Sequence, residues 1–97
     1  MEITREQVGT TLIIKLRGKL DTYTAPQLDA EIKKGLDGVK ELYWDFSELE
    51  YMTSAGIREL LIADNMLGDG GYMKVIHANE AIKNAFYLTG LTDLLGD

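Results

Sequence analysis

Two short runs in this chain alternate with the period of a β-strand, and a helical stripe lies between them. In the first, Leu12, Ile14 and Leu16 fall on one face while Ile13, Lys15 and Arg17 fall on the other. In the second, Leu42, Trp44 and Phe46 alternate with Tyr43 and Asp45. Between them, Leu28, Ile32 and Leu36 repeat at helical spacing. A strand–helix–strand unit needs a crossover, and a crossover makes its two strands parallel. An α/β fold is therefore expected.

The rest of the pattern extends this core. Ile3 to Val8 reads as a strand, and Gly9-Thr10 turns it into an antiparallel hairpin with the run from Thr11 to Arg17. Thr24, with Pro26 in the first turn and Gln27 three residues on, reads as a capping box opening the first helix. Gly38 reads as its stop. Tyr43 is large and apolar as well, which points to a strand covered on more than one side. After Asp45 a short polar link is expected, then a second helix carrying Ile57, Leu60, Leu61, Asp64 and Leu67. Gly68, Gly70 and Gly71 end it. Tyr72 to Ile76 is the fourth strand. Asn79 caps a third helix bearing Ile82, Ala85, Phe86 and Thr89, and Gly90 stops it. Leu91, Leu94 and Leu95 form an apolar tail expected to fold back onto the body. The expected order is β-β-α-β-α-β-α, a mixed four-stranded sheet with helices mainly on one face.

Length and composition narrow the function. Residues 1–97 suit one domain and not two. There is no cysteine, so disulfides, thiolate metal sites and cysteine nucleophiles are excluded together. The formal net charge of -6 argues against nucleic acid or an anionic membrane as the main partner, since both need basic footprints. The apolar runs Leu12-Ile13-Ile14 and Leu60-Leu61-Ile62-Ala63 are too short to span a bilayer, so no direct membrane insertion is expected. The start, Met1-Glu2-Ile3-Thr4, lacks the basic-then-apolar pattern of a signal peptide.

The chemistry points to Thr53-Ser54. A hydroxyl at a helix N-terminus meets unpaired backbone N–H groups and the positive end of the helix dipole, where a phosphate is well received. On spacing alone the commoner reading of such a pair is an ordinary cap. Gly56, one turn into the same helix, implies a close approach, either by another element of the fold or by a partner. Asp21 lies between the second strand and the first helix. Loops of that kind gather at one end of a sheet, so Asp21 and Ser54 are expected to share a face. Without a family resemblance, Asp21 reads as a turn aspartate.

His77 is the only histidine, so no typical zinc site can form. A hydrolase built from Ser54 and His77 can be drawn on paper, but Ser54 lacks the Gly-x-Ser-x-Gly elbow. The favoured reading of His77 is a partly exposed strand-end residue. Gly68-Asp69-Gly70-Gly71 follows a helix rather than a strand, so it is a turn and not a phosphate loop.

Three blocks of the sequence resemble the STAS domain, the family of sulfate-transporter and anti-sigma-factor-antagonist domains. They are Gly18-Lys19-Leu20-Asp21 with Thr24-Ala25-Pro26, then Asp45-Phe46-Ser47 through Met52-Thr53-Ser54-Ala55-Gly56, then Phe86-Tyr87-Leu88-Thr89-Gly90-Leu91. The chain looks most like the small free-standing bacterial antagonists. That resemblance implies a cytoplasmic partner-switching protein. Its unphosphorylated form would bind an anti-sigma factor that is also a serine kinase, and so release a sigma factor. Phosphorylation at Ser54 would switch it off, with Thr53 as the alternative acceptor, and a PP2C-type phosphatase would reverse it. Asp21, Thr53, Ser54, Gly56 and Ile57 would form the partner-binding surface. No cofactor or metal is implied, and the chain would be a substrate rather than an enzyme. The alternative within the family is a phosphorylation-independent interaction module, such as a transporter subunit or a sensory scaffold. Two positions depart from the common pattern: Thr53 stands where the family commonly has aspartate, and Ala55 where it commonly has a second hydroxyl residue.

Overall fold

The computed structural model describes residues 1–96; Asp97, the last residue of the expected domain, lies outside them. Four strands form one sheet in the order β1-β2-β3-β4: β1 (Glu2–Val8), β2 (Thr11–Leu20), β3 (Glu41–Met52) and β4 (Tyr72–Ile76). The β1–β2 hairpin is antiparallel, while β2–β3 and β3–β4 are parallel. Helices α1 (Ala25–Lys33), α2 (Ser54–Leu67) and α3 (Glu80–Thr89) complete the predicted mixed α/β order.

The core follows the strand alternation. Leu12, Ile14 and Leu16 on β2, Leu42, Trp44 and Phe46 on β3, and Met73 and Val75 on β4 are all buried. Leu28 and Ile32 of α1, Ile57 and Leu60 of α2, and Ile82 and Phe86 of α3 meet them from one side. The opposite face carries no helix. Ile13, Tyr43 and Ile76 are half-buried there, and Tyr43 touches the Tyr72 ring at 5.9 Å. The expected cover on both sides of β3 is thus a neighbouring side chain, not a second layer. Exposed ion pairs cross this face, Lys15 with Glu48 at 3.4 Å and Arg17 with Glu2 at 3.6 Å, and such pairs stabilise little.

Four local expectations are corrected. The capping box is not formed. Thr24 precedes α1 without a side-chain cap bond, because its hydroxyl donates to the Lys19 carbonyl (2.8 Å), and Gln27 donates to the Met1 carbonyl (2.7 Å). Gly38 is not the stop, since α1 ends at Lys33 and Gly35 takes the left-handed turn at φ 111°. Leu61 and Asp64 of α2 and Thr89 of α3 are exposed, and Ala63 takes the buried place on α2. The polar link after Asp45 is strand. From Lys15 to Leu20, β2 advances five positions, while its partners on β3 run from Asp45 to Met52, seven positions. The two extra residues are accommodated in two register shifts. Each shift resets the alternation, so Phe46, Leu49 and Met52 all face the core at intervals of three.

The tail does fold back. Leu91, Leu94 and Leu95 are half-buried, Leu95 bridges Val75 in parallel, and Gly96 N–H donates to the Val75 carbonyl at 2.8 Å. This covers the outer edge of β4, which would otherwise offer unpaired strand groups. No helix among the described residues is long and apolar enough to cross a membrane.

Candidate functional site at the start of α2

The extra length of β3 delivers its end beside the end of β2. Thr53 N–H donates to the Leu20 carbonyl at 2.9 Å, so the β3–α2 junction and the β2–α1 turn are one hydrogen-bonded unit. Asp21, Thr53 and Ser54 are brought together at this end of the sheet, as expected.

Ser54 is the first residue of α2 and is exposed. Its hydroxyl makes no hydrogen bond among the described residues. The Gly56 and Ile57 N–H groups both reach back to the Thr53 carbonyl, at 3.0 and 3.2 Å. Among the described residues the Ser54 and Ala55 N–H groups are left open, the normal state of a first helical turn. Thr53 holds the N-cap position with extended backbone (φ -107°, ψ 178°) but gives no side-chain cap. Its Oγ1 is buried without a partner, so Thr53 is turned inward and Ser54 outward.

Asp21 organises the neighbouring turn. Its Oδ1 accepts from Tyr23 N–H (2.9 Å) and Thr24 N–H (3.1 Å), and its own N–H donates to Thr24 Oγ1 (2.9 Å). The Thr24 N–H first, then the Tyr23 N–H and the Thr24 hydroxyl, hold the Asp21 carboxyl below its ordinary range against the opposing effect of desolvation. The turn that Asp21 holds presents Tyr23, which is 92% exposed. Sequence reasoning passed over Tyr23; the signal was an aromatic residue inside a turn.

Gly56 and Ile57 are buried. A Cβ on Gly56 would stand 2.6 Å from Leu20 Cγ and 3.2 Å from Met52 Cε. The close approach at Gly56 is therefore made by the end of β2. Gly56 and Ile57 support the Ser54 surface from beneath.

A groove between α1 and α2 opens beside Ser54, bordered by Thr22, Pro26, Asp29, Ala55, Arg58 and Glu59. Two carboxyl groups interact across it. Burial, then Asp29, pushes the Glu59 carboxyl up, while Lys33, then Glu59, holds Asp29 down. Glu59 Oε1 is buried without a hydrogen-bond partner among the described residues, so nothing offsets its desolvation there.

His77 closes β4 in a left-handed conformation (φ 62°) and is exposed. Its Nδ1 lies 3.1 Å from Asp45 Oδ1. Burial raises the Asp45 carboxyl, but bonds from the Ser47 N–H and His77 outweigh it and hold the carboxyl low. The structure thus pairs His77 with Asp45 on the neighbouring strand. Among the described residues no group of three or more His, Cys, Asp or Glu converges to hold a metal.

The sequence model of the STAS domain matches residues 2–96. The chain belongs to the STAS domain family. This STAS domain is 27% identical over 96 residues to the putative anti-sigma factor antagonist BtrV of Bordetella bronchiseptica, covering 97% of this chain and 83% of the relative. Its fold superimposes on an anti-sigma factor antagonist from Mycobacterium paratuberculosis with a TM-score of 0.86 and 25% identity, over 97% of this chain and 81% of that one. SpoIIAA, an anti-sigma factor antagonist, has been solved in two forms. The unphosphorylated form gives a TM-score of 0.85 and the phosphorylated form, from Bacillus, 0.78, each at 24% identity. They cover 99% of this chain, and 87% and 90% of theirs. At that identity SpoIIAA shares the fold. The STAS fold thus accounts for the mixed four-stranded sheet and its three helices.

Proposed function

We propose that this STAS domain is an anti-sigma factor antagonist that works by partner switching. The unphosphorylated form binds an anti-sigma factor that is also a serine kinase, and the sigma factor is released. The kinase then turns the antagonist off. Ser54 Oγ attacks the γ-phosphorus of ATP held by the kinase. The Oγ–P bond forms, the bond to the bridging oxygen of ADP breaks, and the hydroxyl proton passes to a base on the kinase. A PP2C-type phosphatase returns the serine by hydrolysis, water attacking phosphorus and inorganic phosphate leaving. The catalytic groups belong to the partners, and this chain is their substrate.

One observation carries the reading: Ser54 is exposed on the first turn of α2, its hydroxyl without a partner among the described residues, beside open backbone N–H groups. A phosphate there adds about 1.5 to 2 negative charges at neutral pH. The helix terminus tolerates that charge, whereas a docked partner must desolvate it or meet it with its own carboxylates. Ser54 is favoured over Thr53 as acceptor because the Thr53 hydroxyl is buried. Asp21 shapes the adjoining part of the surface by fixing the turn that presents Tyr23. Gly56 and Ile57 set its level from below.

The alternative is an interaction module that needs no phosphorylation, in a transporter or sensory assembly. It is favoured by Thr53, which puts no carboxylate where the family commonly has one. Binding of Ser54→Asp and Ser54→Ala variants to the anti-sigma factor kinase separates the two readings. Partner switching predicts that Ser54→Asp weakens binding more than tenfold, over about 1.4 kcal/mol, while Ser54→Ala binds as wild type. Equal binding by all three proteins would favour the constitutive module.

A further inference from the structure

Arg58 lies four residues after Ser54 on the same helix, and both are exposed. Residues at this spacing are neighbours on a helix surface, with Cβ atoms about 5–6 Å apart. Helical side chains lean toward the N-terminus, so a long side chain at 58 covers the turn that carries residue 54. An anion four residues before a cation is also the favourable order along the helix dipole.

Arg58 forms no fixed contact in the unmodified protein, although its charge acts on Glu59 from a distance and lowers that carboxyl. It makes no hydrogen bond or ion pair among the described residues. The carboxylates bordering the same groove are otherwise engaged: Asp29 Oδ2 pairs with Lys33 Nζ at 2.8 Å, and Glu59 faces Asp29. Other cations nearby are spoken for, with Lys33 on Asp29 and Lys19 lying 5.7 Å from the Tyr51 ring centre.

We propose that Arg58 is the built-in counter-ion for a phosphate on Ser54. Modification draws the guanidinium from the rim of the α1–α2 groove onto the phosphate oxygens, in a charge-assisted pair within one helix. The modified surface then differs from the unmodified one in two ways: a phosphate is present, and a cation has left the groove rim. This rests on the reading of Ser54 as the acceptor and adds the residue of this chain that answers the charge.

The test needs no kinase. Phosphoserine is installed at position 54 during translation, and its second ionisation is followed by phosphorus NMR in wild type, Arg58→Gln and Lys33→Gln. The wild-type phosphate is expected to titrate on the order of half a pH unit below the Arg58→Gln phosphate. High salt should narrow that gap. The Lys33→Gln protein should titrate as wild type does. Identical titrations in wild type and Arg58→Gln would overturn the pairing, as would an equal shift in Lys33→Gln, which would mark a general field. Because the phosphoserine is installed directly, failure of a kinase to modify Ser54 would count against the proposed function alone.

Discussion

Leu20 occupies the space where a side chain on Gly56 would begin, 2.6 Å from the position of its Cβ. Leu20 is fully buried and is the last residue of β2, so the helix that carries Ser54 is seated directly on the strand that leads to Asp21. The two junctions are therefore locked together by this contact and by the Thr53 N–H to Leu20 carbonyl bond.

Gly56→Ala should be destabilising although alanine is the better helix former. Overpacking costs about 1–3 kcal/mol, against a gain of about 1 kcal/mol in helix propensity. Leu20→Ala alone should cost about 2–5 kcal/mol through the cavity it leaves. The double variant should be more stable than the sum of the two losses, because the smaller residue at 20 makes room for the methyl at 56. Urea unfolding of the four proteins measures this. Additivity within about 0.5 kcal/mol would show that the two residues are not in register as described.

Asp21→Ala should lower the melting temperature at neutral pH by loosening the turn from Asp21 to Thr24. The folded protein holds this carboxyl below its ordinary value. Its stabilising contribution is thus present above the unfolded value, about 3.9, and is lost as pH falls through the folded one. The gap between wild type and Asp21→Ala should therefore close as the pH is taken down through that range. A gap that widens in acid would contradict the assignment. The same variant should weaken partner binding along with Tyr23→Ala, since Asp21 acts on the partner through the turn that carries Tyr23.

Glu59 carries the opposite sign. Burial and Asp29 raise its carboxyl in the fold. That group favours folding below its unfolded value and loses this advantage as pH rises through the folded one. Glu59→Gln keeps the size of the side chain and removes its ionisation. It should raise stability by roughly 0.5–1 kcal/mol near pH 7 and change little near pH 4. Thermal melts at the two pH values decide it, and a stability loss at pH 7 would mean that ionised Glu59 has a partner.

Most of the layer order was legible because Leu12, Ile14 and Leu16, and then Leu42, Trp44 and Phe46, alternate cleanly with one buried face. Residues 46 to 52 were not, because the two register shifts of β3 place Phe46, Leu49 and Met52 inward at intervals of three. That interval is closer to helical than to strand period, and it reads as a link. Thr24 and Gln27 matched a capping box in sequence, yet the Thr24 hydroxyl bonds the Lys19 carbonyl near the end of β2 and Gln27 bonds the Met1 carbonyl just before β1. A local motif cannot register such a competitor. Ser54 was legible from its place at a strand-to-helix junction. The inward turn of Thr53 was not, since two adjacent hydroxyl residues look equivalent until the backbone decides which one faces out.

The central claim is that Ser54 is the switch. It is tested most directly by incubating the protein with ATP and the anti-sigma factor kinase from the same cell, then measuring intact mass and mapping the modified residue. The account predicts the gain of one phosphate, placed on Ser54 and absent in Ser54→Ala. An unmodified protein, or a phosphate mapped to Thr53 or elsewhere, would contradict it.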